Sequence, residues 1–385
     1  MVEWETTTLE KCTDILGDGL HGTPQYTDDG DYAFINGNNF VNGEILIKKD
    51  TKRVDYSQYE KYKKPLTSRT LFVSINGTLG NVGMYNSEKI ILGKSACYFN
   101  VKESVDRDFI YYVVSSPKFR QYLERSATGT TIKNISLKQM REYEFLLPPI
   151  EDQKQISSVL KMIDERIKNN RRINENLLQQ AVAVFDKFYD TSTNQQPFTG
   201  LINVLGGGTP KTGNPEFWDG SIPFFTPKDA GTPYTFKTEK YITESGLEHC
   251  NSRLYPQNTA FVTARGTVGK ISLAGFPMAM NQSCYALTSG IVDPLLVYFY
   301  TLKAVTSLKH KASGAVFDAI VTRDFDGEMI NILSDADSKA ALSIIKPMME
   351  SIHNNSKENI RLFAVRDTLL PKLISGEVDV STLDI

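Results

Sequence analysis

The chain is poor in the residues that mark several large protein classes. Its four cysteines (Cys12, Cys97, Cys250, Cys284) are scattered and never form a Cys-x-x-Cys pair. That argues against a disulfide framework and against a structural zinc. The four histidines (His21, His249, His310, His353) show no ligand spacing. No apolar run reaches the roughly 18 residues needed to span a bilayer. The first residues, MVEWETTTLEKC, lack a basic start and an apolar stretch, so the expectation is a cytoplasmic protein with reduced thiols. Neither sign of charge dominates, with 43 Lys and Arg against 45 Asp and Glu. Without an excess of positive charge, phosphate binding by this chain alone should be weak. Catalytic signatures are missing too: no GxxxxGK[S/T], no HExxH, no GxSxG, and no Pro-Pro-aromatic motif of amino-methyltransferases. Gly17-Asp18-Gly19-Leu20-His21-Gly22 fits GxGxxG, but Pro24 follows at once and a loop turn is the better reading. No catalytic residue and no metal ligand is proposed.

What the chain does have is core material and a duplication. Hydrophobic residues make up 41%, with 20 Phe and 18 Tyr, and 385 residues suffice for two or more domains. HGTP at 21–24 returns as GGTP at 207–210, and FVSINGTLG at 72–80 as FVTARGTVG at 261–269. KSACY at 94–98 returns as QSCY at 282–285, SATGT at 126–130 as KASGA at 311–315, and ERIKNN at 165–170 as ESIHNN at 350–355. Five matches in one order, offset by 185–189 residues, make this two related halves in tandem. Each half opens with a segment rich in short β-like runs, such as TLFVSI (70–75), TAFVTA (259–264) and EFLLP (144–148), broken by Gly and Asn turns.

Each half closes on a helical segment. Ile156, Leu160, Ile163, Ile167, Asn170, Asn174, Leu177, Ala181, Val184 and Phe188 alternate steps of four and three. Leu342, Ile345, Met349, Ile352, Ser356, Asn359, Phe363, Arg366, Leu370 and Leu373 do the same. This is an a/d seam with a polar middle, the kind that costs stability and fixes register. Two arrangements fit: the seams facing each other, which we favour, or each helix capping its own domain. Pro347 is expected to kink the second helix or to move its start to about that point. Phe185, Phe188 and Tyr189, with Leu369, Leu370 and Leu373, are expected to cluster near the far ends of the helices.

Four strings carry a resemblance: GTTIKNISLKQMREYEFLLPPIEDQKQI (129–156), GGTPKTGNPEFWDGSIPFFTPKDA (207–230), RGTVGKISLA (265–274) and RDTLLPKLISGEV (366–378). In this order the chain resembles the specificity subunit of type I restriction–modification systems over essentially its whole length. The resemblance implies an α+β protein: two mixed α/β target-recognition domains joined by two long antiparallel helices that form a coiled-coil spacer. The segments would be recognition domain 1 (1–147), a first helix (148–191), recognition domain 2 (192–333), and a second helix with a tail (334–385). It implies a non-catalytic subunit that reads a bipartite, asymmetric double-stranded DNA target, one half-site per domain. It implies docking to two methyltransferase subunits and a restriction/translocase subunit. S-adenosylmethionine would belong to the methyltransferase, ATP and Mg to the restriction subunit, and no cofactor to this chain. The assembled complex would be an adenine-N6 methyltransferase and ATP-dependent endonuclease serving phage defence. Exposed positions from Glu151 to Lys168 and Glu350 to Lys357 would serve docking. The element LPPIEDQKQI has decayed to INILSDADSKAAL (330–342) in the second half, so the two docking surfaces need not match.

For such a reader, polar loops able to approach a groove are the candidates. In the first half these are Thr23, Asn76, Thr78, Lys94, Ser95, Thr128, Thr130 and Lys133. In the second they are Thr209, Lys211, Lys228, Arg265, Thr267, Lys270, Gln282 and Ser283. Arg265 could pair bidentately with guanine and Gln282 with adenine, while Lys211 and Lys270 suit phosphate. Asn76 stands where the second half has Arg265, so the halves should read different bases. The helix-seam residues are Ile156, Ile163, Asn170, Leu177, Ile345, Ile352, Asn359 and Leu370. A cluster of Lys48, Lys49, Lys52, Arg53, Lys61, Lys63 and Lys64 interleaved with Tyr56, Tyr59 and Tyr62 is either a phosphate patch or a solvated helix face. Two rival functions remain: a specificity subunit of a related system with a fused nuclease–methylase partner, and a coiled-coil adaptor whose heads bind protein.

Overall fold

The computed structural model describes residues 4–129, 132–311 and 319–378. They group into two compact units, Met1–Arg166 with Leu362–Ile385, and Ile167–Arg361. Compactness therefore divides the chain differently from the linear list of four segments. Each unit takes one head together with parts of both long helices.

The duplication reappears as sheet order. In the first unit an antiparallel sheet runs Thr13–Asp18, Ala96–Val101, Thr70–Ser74, Val82–Met84. In the second it runs Asn203–Gly206, Cys284–Thr288, Ala260–Thr263, Ile271–Ala274, and adds Tyr234–Thr235 in parallel. Each head also has a small sheet with a parallel pair, Tyr32–Ile35 with Ile90–Leu92, and Trp218–Phe225 with Ala279–Met280. A two-stranded clamp closes each head at its base: Glu5–Thr8 with Glu144–Leu147, and Gln195–Pro197 with Met329–Asn331.

The central strands are buried on both faces because they are covered on both. Side chains alternate along a strand. In the first head Leu71, Val73, Cys97 and Phe99 join one core with Phe109, Ile110, Val113 and Phe119 of the helices Arg107–Ser115 and Pro117–Ser126. Phe72, Ala96 and Tyr98 face the other way, onto Ala33, Ile35, Ile90 and Leu92. The second head repeats this with Ala260, Val262 and Leu287 against the helix Pro294–Lys311, and Phe261, Cys284 and Ala286 on the far side. These head helices escaped the sequence reading. From Leu295 to Thr301 every residue of Pro294–Lys311 is buried, so no amphipathic stripe betrays it.

The long helices are Ile150–Thr191 and Asp335–Ile374, 42 and 40 residues, each about 60 Å at 1.5 Å per residue. Pro347 does not set the start of the second, which begins twelve residues earlier. There Ser334 Oγ accepts from the Asp337 N–H at 3.1 Å, and Asp335 and Asp337 sit where the helix dipole favours negative charge. In the first unit, Ile156 and Leu160 share a core with Leu370 and Leu373. Beside them Arg366 Nη1 donates to Asp164 Oδ1 at 2.8 Å, and Tyr112 Oη donates to Asp164 Oδ2 at 2.9 Å. Burial, and then the Asp164 charge, push the Tyr112 phenol far up.

In the second unit Ala181 and Phe185 pack with Ala341, Ile345, Met349 and Ile352. The polar middle of the seam is bonded across the helix pair. Asn170 Nδ2 donates to Asn359 Oδ1 at 3.0 Å and to Glu358 Oε2 at 2.8 Å. Asn174 Nδ2 donates to Ser356 Oγ at 3.2 Å, and Asn355 Nδ2 returns a bond to Asn174 Oδ1 at 2.9 Å. The ascending numbers on one helix meet descending numbers on the other, so the pair is antiparallel. Ile163 and Leu177 are half-buried, and Phe185 rather than Val184 is fully enclosed. Phe185, Phe188 and Tyr189 join the second unit's core, whereas Leu369, Leu370 and Leu373 join the first's.

Candidate nucleic-acid interface

The Gly-Thr-x-Gly motif folds identically in both heads, as a hairpin tip on the central sheet. Ser74 and Thr263 end the strands that enter it. Their hydroxyl oxygens accept from the N–H of Asn81 (2.8 Å) and Lys270 (2.9 Å) on the returning strand. The N–H of Gly80 bonds to the Ser74 carbonyl and that of Gly269 to the Thr263 carbonyl, at 2.9 and 2.8 Å. Gly77 and Gly80, like Gly266 and Gly269, hold φ between +72° and +80°, a region other residues enter at a cost. The floor is duplicated too. Ile75 N bonds to Ser95 O, and Ile135 N to Ile75 O; Ala264 N bonds to Ser283 O, and Ile320 N to Ala264 O. Ile75 and Ala264 are thus buried anchors, and the next residue, Asn76 or Arg265, is the first to emerge.

Around the first hairpin the structure gathers most of the first-half candidates. Asn76 is half-buried and its Nδ2 donates to Asn134 Oδ1 at 3.2 Å; Thr78 is exposed. Thr128 and Asn134 exchange backbone hydrogen bonds at 2.9 Å, and the Lys133 carbonyl accepts from Gly77 N. Lys94, Lys133, Thr128 and Thr23 are exposed. Ser95 is a strut: its Oγ donates to Asn36 Oδ1 and accepts from Gly37 N, both at 2.9 Å. Thr130 lies outside the described residues.

Around the second hairpin, Arg265, Thr267 and Lys270 are exposed. Thr267 Oγ1 donates to Pro227 O at 3.3 Å and Lys270 Nζ to Ala230 O at 3.4 Å, which ties the hairpin to the 226–230 loop. Lys228 in that loop pairs with Glu239 at 3.2 Å. Gln282 is exposed and bonded to Thr209; Ser283 is half-buried. Lys211 stands apart, its carbonyl accepting from Trp218 Nε1 at 3.3 Å.

Sequence reasoning missed the residues that hold these loops. Asn134, Asn36 and Asp229 carry the cross-loop bonds; Asp229 Oδ1 accepts from the N–H of Glu239 at 2.8 Å, while its Oδ2 closes its own loop on Thr226. Their only signal was a short polar side chain beside a turn. The basic cluster divides. Lys48, Lys49 and Lys52 precede the strand Arg53–Val54, with Lys48 and Lys52 lining a cleft of about 220 Å³ with Tyr26, Phe34 and Asn36. Tyr56, Tyr59, Lys61 and Tyr62 lie on the helix Tyr56–Tyr62, which buries no residue fully.

Two repeats of one mixed α/β head, each raising a polar hairpin with a different residue where it leaves its buried anchor, define a twofold recognition protein. A family model described as the type I restriction modification DNA specificity domain matches residues 1–179 and 197–362. The chain belongs to that family and carries the domain twice. It is similar to the MjaIX specificity subunit of Methanocaldococcus jannaschii, 21% identical over 308 residues, 73% of this chain and 71% of that one. The putative MjaX specificity subunit of the same organism is 21% identical over 99% of this chain and 95% of its own. Among solved structures, the type I S subunit from M. genitalium shares the fold, with a TM-score of 0.60 and 20% identity over 97% of this chain and 96% of that one. Among the described residues, no helix is long and apolar enough to cross a membrane, and no three His, Cys, Asp or Glu side chains group to hold a metal ion.

Proposed function

We propose that this chain is the non-catalytic specificity subunit of a type I restriction–modification complex, and that it reads a bipartite, asymmetric DNA target with one half-site per head. The observation that carries the reading is the duplicated hairpin, which sets Asn76 and Arg265 on the same backbone post. An amide and a guanidinium at one position pair with different base edges, so one fold yields two half-site preferences. The remaining members of the two loop sets (Thr23, Thr78, Lys94, Thr128, Lys133, and Thr209, Lys211, Lys228, Thr267, Lys270, Gln282) position the duplex or add base contacts. Methylation of adenine N6 and ATP-dependent cleavage belong to partners: two methyltransferase subunits holding S-adenosylmethionine, and a restriction/translocase subunit using ATP and Mg. The near-neutral heads fit a reader that completes its grip on DNA only within such a complex.

The test is long-read mapping of N6-methyladenine with the gene present and deleted. Loss of one bipartite motif on deletion is the expected result, and exchange of residues 192–333 should alter one half-site only. An unchanged methylome in a strain that expresses the methyltransferase refutes the reading. Arg265→Ala should weaken binding to the cognate duplex by about 1–3 kcal/mol and relax discrimination at one base pair.

A further inference from the structure

Beside each hairpin runs a head helix that brings a cation near the second glycine of the turn. These cations, Arg120 and Lys309, are not repeat equivalents: at the 185-residue offset that relates SATGT to KASGA at the helix ends, Arg120 falls at Val305 and Lys309 at Glu124. Neither is among the candidate loop residues. In the second head Lys309 Nζ donates to the Gly269 carbonyl at 2.7 Å. Gly269 holds φ +72°, and its N–H is bonded to Thr263 O at 2.8 Å. Both polar backbone groups of this turn residue are therefore fixed, one of them by a charge-assisted bond. The fit is close: a Cβ on Gly269 would meet Lys309 Cε at 2.5 Å and Val305 Cγ1 at 3.1 Å.

The first head brings its cation to the turn from a different helical position and with a different outcome. Gly80 holds φ +77°, and a Cβ on it would lie 3.3 Å from Leu123 Cδ1 and 3.9 Å from Arg120 Nε. The Arg120 side chain thus passes beside the turn without bonding its carbonyl. Arg120 is exposed, and among the described residues its guanidinium has no hydrogen-bond or ion-pair partner. The carbonyl bond holds the Lys309 head group against the turn, although the ammonium keeps its full charge. An unpaired guanidinium at the flank of a reading hairpin is available to a phosphate and would release a counterion on contact.

We propose that these two cations have separate roles, with Lys309 a positioning residue that holds the Arg265 hairpin in its reading shape and Arg120 a DNA phosphate contact beside the Asn76 hairpin. The proposal rests on the DNA-reading function above. Its test uses the chain in complex with its methyltransferase subunits, and a duplex carrying the motif found by methylation mapping. Matched duplexes bear one substituted base pair in either half-site, and dissociation constants are measured across a range of KCl. Lys309→Met should lower discrimination at the second head's half-site about tenfold with the salt slope unchanged, and Lys309→Arg should restore it. Arg120→Met should make the slope shallower by about one and leave discrimination at the first half-site intact. A shallower slope with discrimination kept in Lys309→Met overturns the positioning role. An unchanged slope in Arg120→Met overturns the phosphate contact. A wild-type complex that discriminates at neither half-site refutes the underlying reading, and the proposal with it.

Discussion

The bonded asparagine pair in the helix seam allows a double-mutant cycle with a definite sign. Asn170 is 1% exposed and Asn359 7%, so water cannot replace either partner. Asn170→Leu leaves the Asn359 amide oxygen buried without the 3.0 Å bond it now accepts. An orphaned buried acceptor costs about 1–3 kcal/mol. Asn359→Leu leaves one Asn170 N–H without its partner, although the bond to Glu358 remains, so its cost sits at the lower end. The double change to leucine removes both polar groups and buries two apolar side chains, worth about 1.5–3 kcal/mol each when fully enclosed. It should be neutral or stabilising. For a unit of this size 1 kcal/mol moves the midpoint by about 2–4 °C. Each single variant should therefore melt about 2–12 °C below the parent, and the double variant at or above it. Thermal melts of the full chain, followed by circular dichroism, read this directly. Additive effects, with the double variant melting lower than either single, would refute the reasoning and assign these residues no mutual interaction. Because polar seam residues fix register, the double variant should also show reduced sequence-specific methylation despite its stability.

Other consequences follow from burial and backbone conformation. Cys12, Cys97 and Cys284 are buried, and burial raises all three thiols, so mass spectrometry after alkylation of the native protein should find label only on the half-buried Cys250. Burial pushes Tyr111, Tyr143 and Tyr298 up to about 12 from the ordinary 10. Their folded forms hold the proton more tightly, so this stability is complete below pH 10 and is lost as pH rises toward 12. The phenolate absorbance contributed by these three should then rise with unfolding rather than at pH 10. Gly80→Ala and Gly269→Ala should each cost about 1 kcal/mol or more at their positive φ. Gly200→Ala, with open space and no positive φ, should change stability little in urea titrations.

Much of the architecture was legible because duplication writes the same physical demands twice. The Gly-Thr-x-Gly repeats need two left-handed backbone positions in one short loop, which only glycine adopts cheaply. The strand hydroxyls at Ser74 and Thr263 that cap the loop persist for the same reason. The helix seams were legible through the 3.5-residue period. The helix Pro294–Lys311 was not, since burial on all sides erases periodicity. The early start of the second helix was hidden because its Ser334 cap and acidic first turn outweigh the proline twelve residues on.

The candidate interface was legible only in part. Sequence placed Asn76 and Arg265 at matching points of two repeats, because spacing along a strand fixes which residue follows the buried anchor. It did not show that Ser95 is spent on Asn36, or that Asn134 closes on Asn76. Those contacts join segments roughly 60 residues apart in the chain, and local propensity carries no record of them. Internal repeats and periodicity thus determined two similar heads, each with a glycine-bearing loop, and two seamed helices. Only the tertiary structure decided which polar groups face outward and which are consumed in holding the loops, because that depends on where each hydrogen-bonding partner arrives in space.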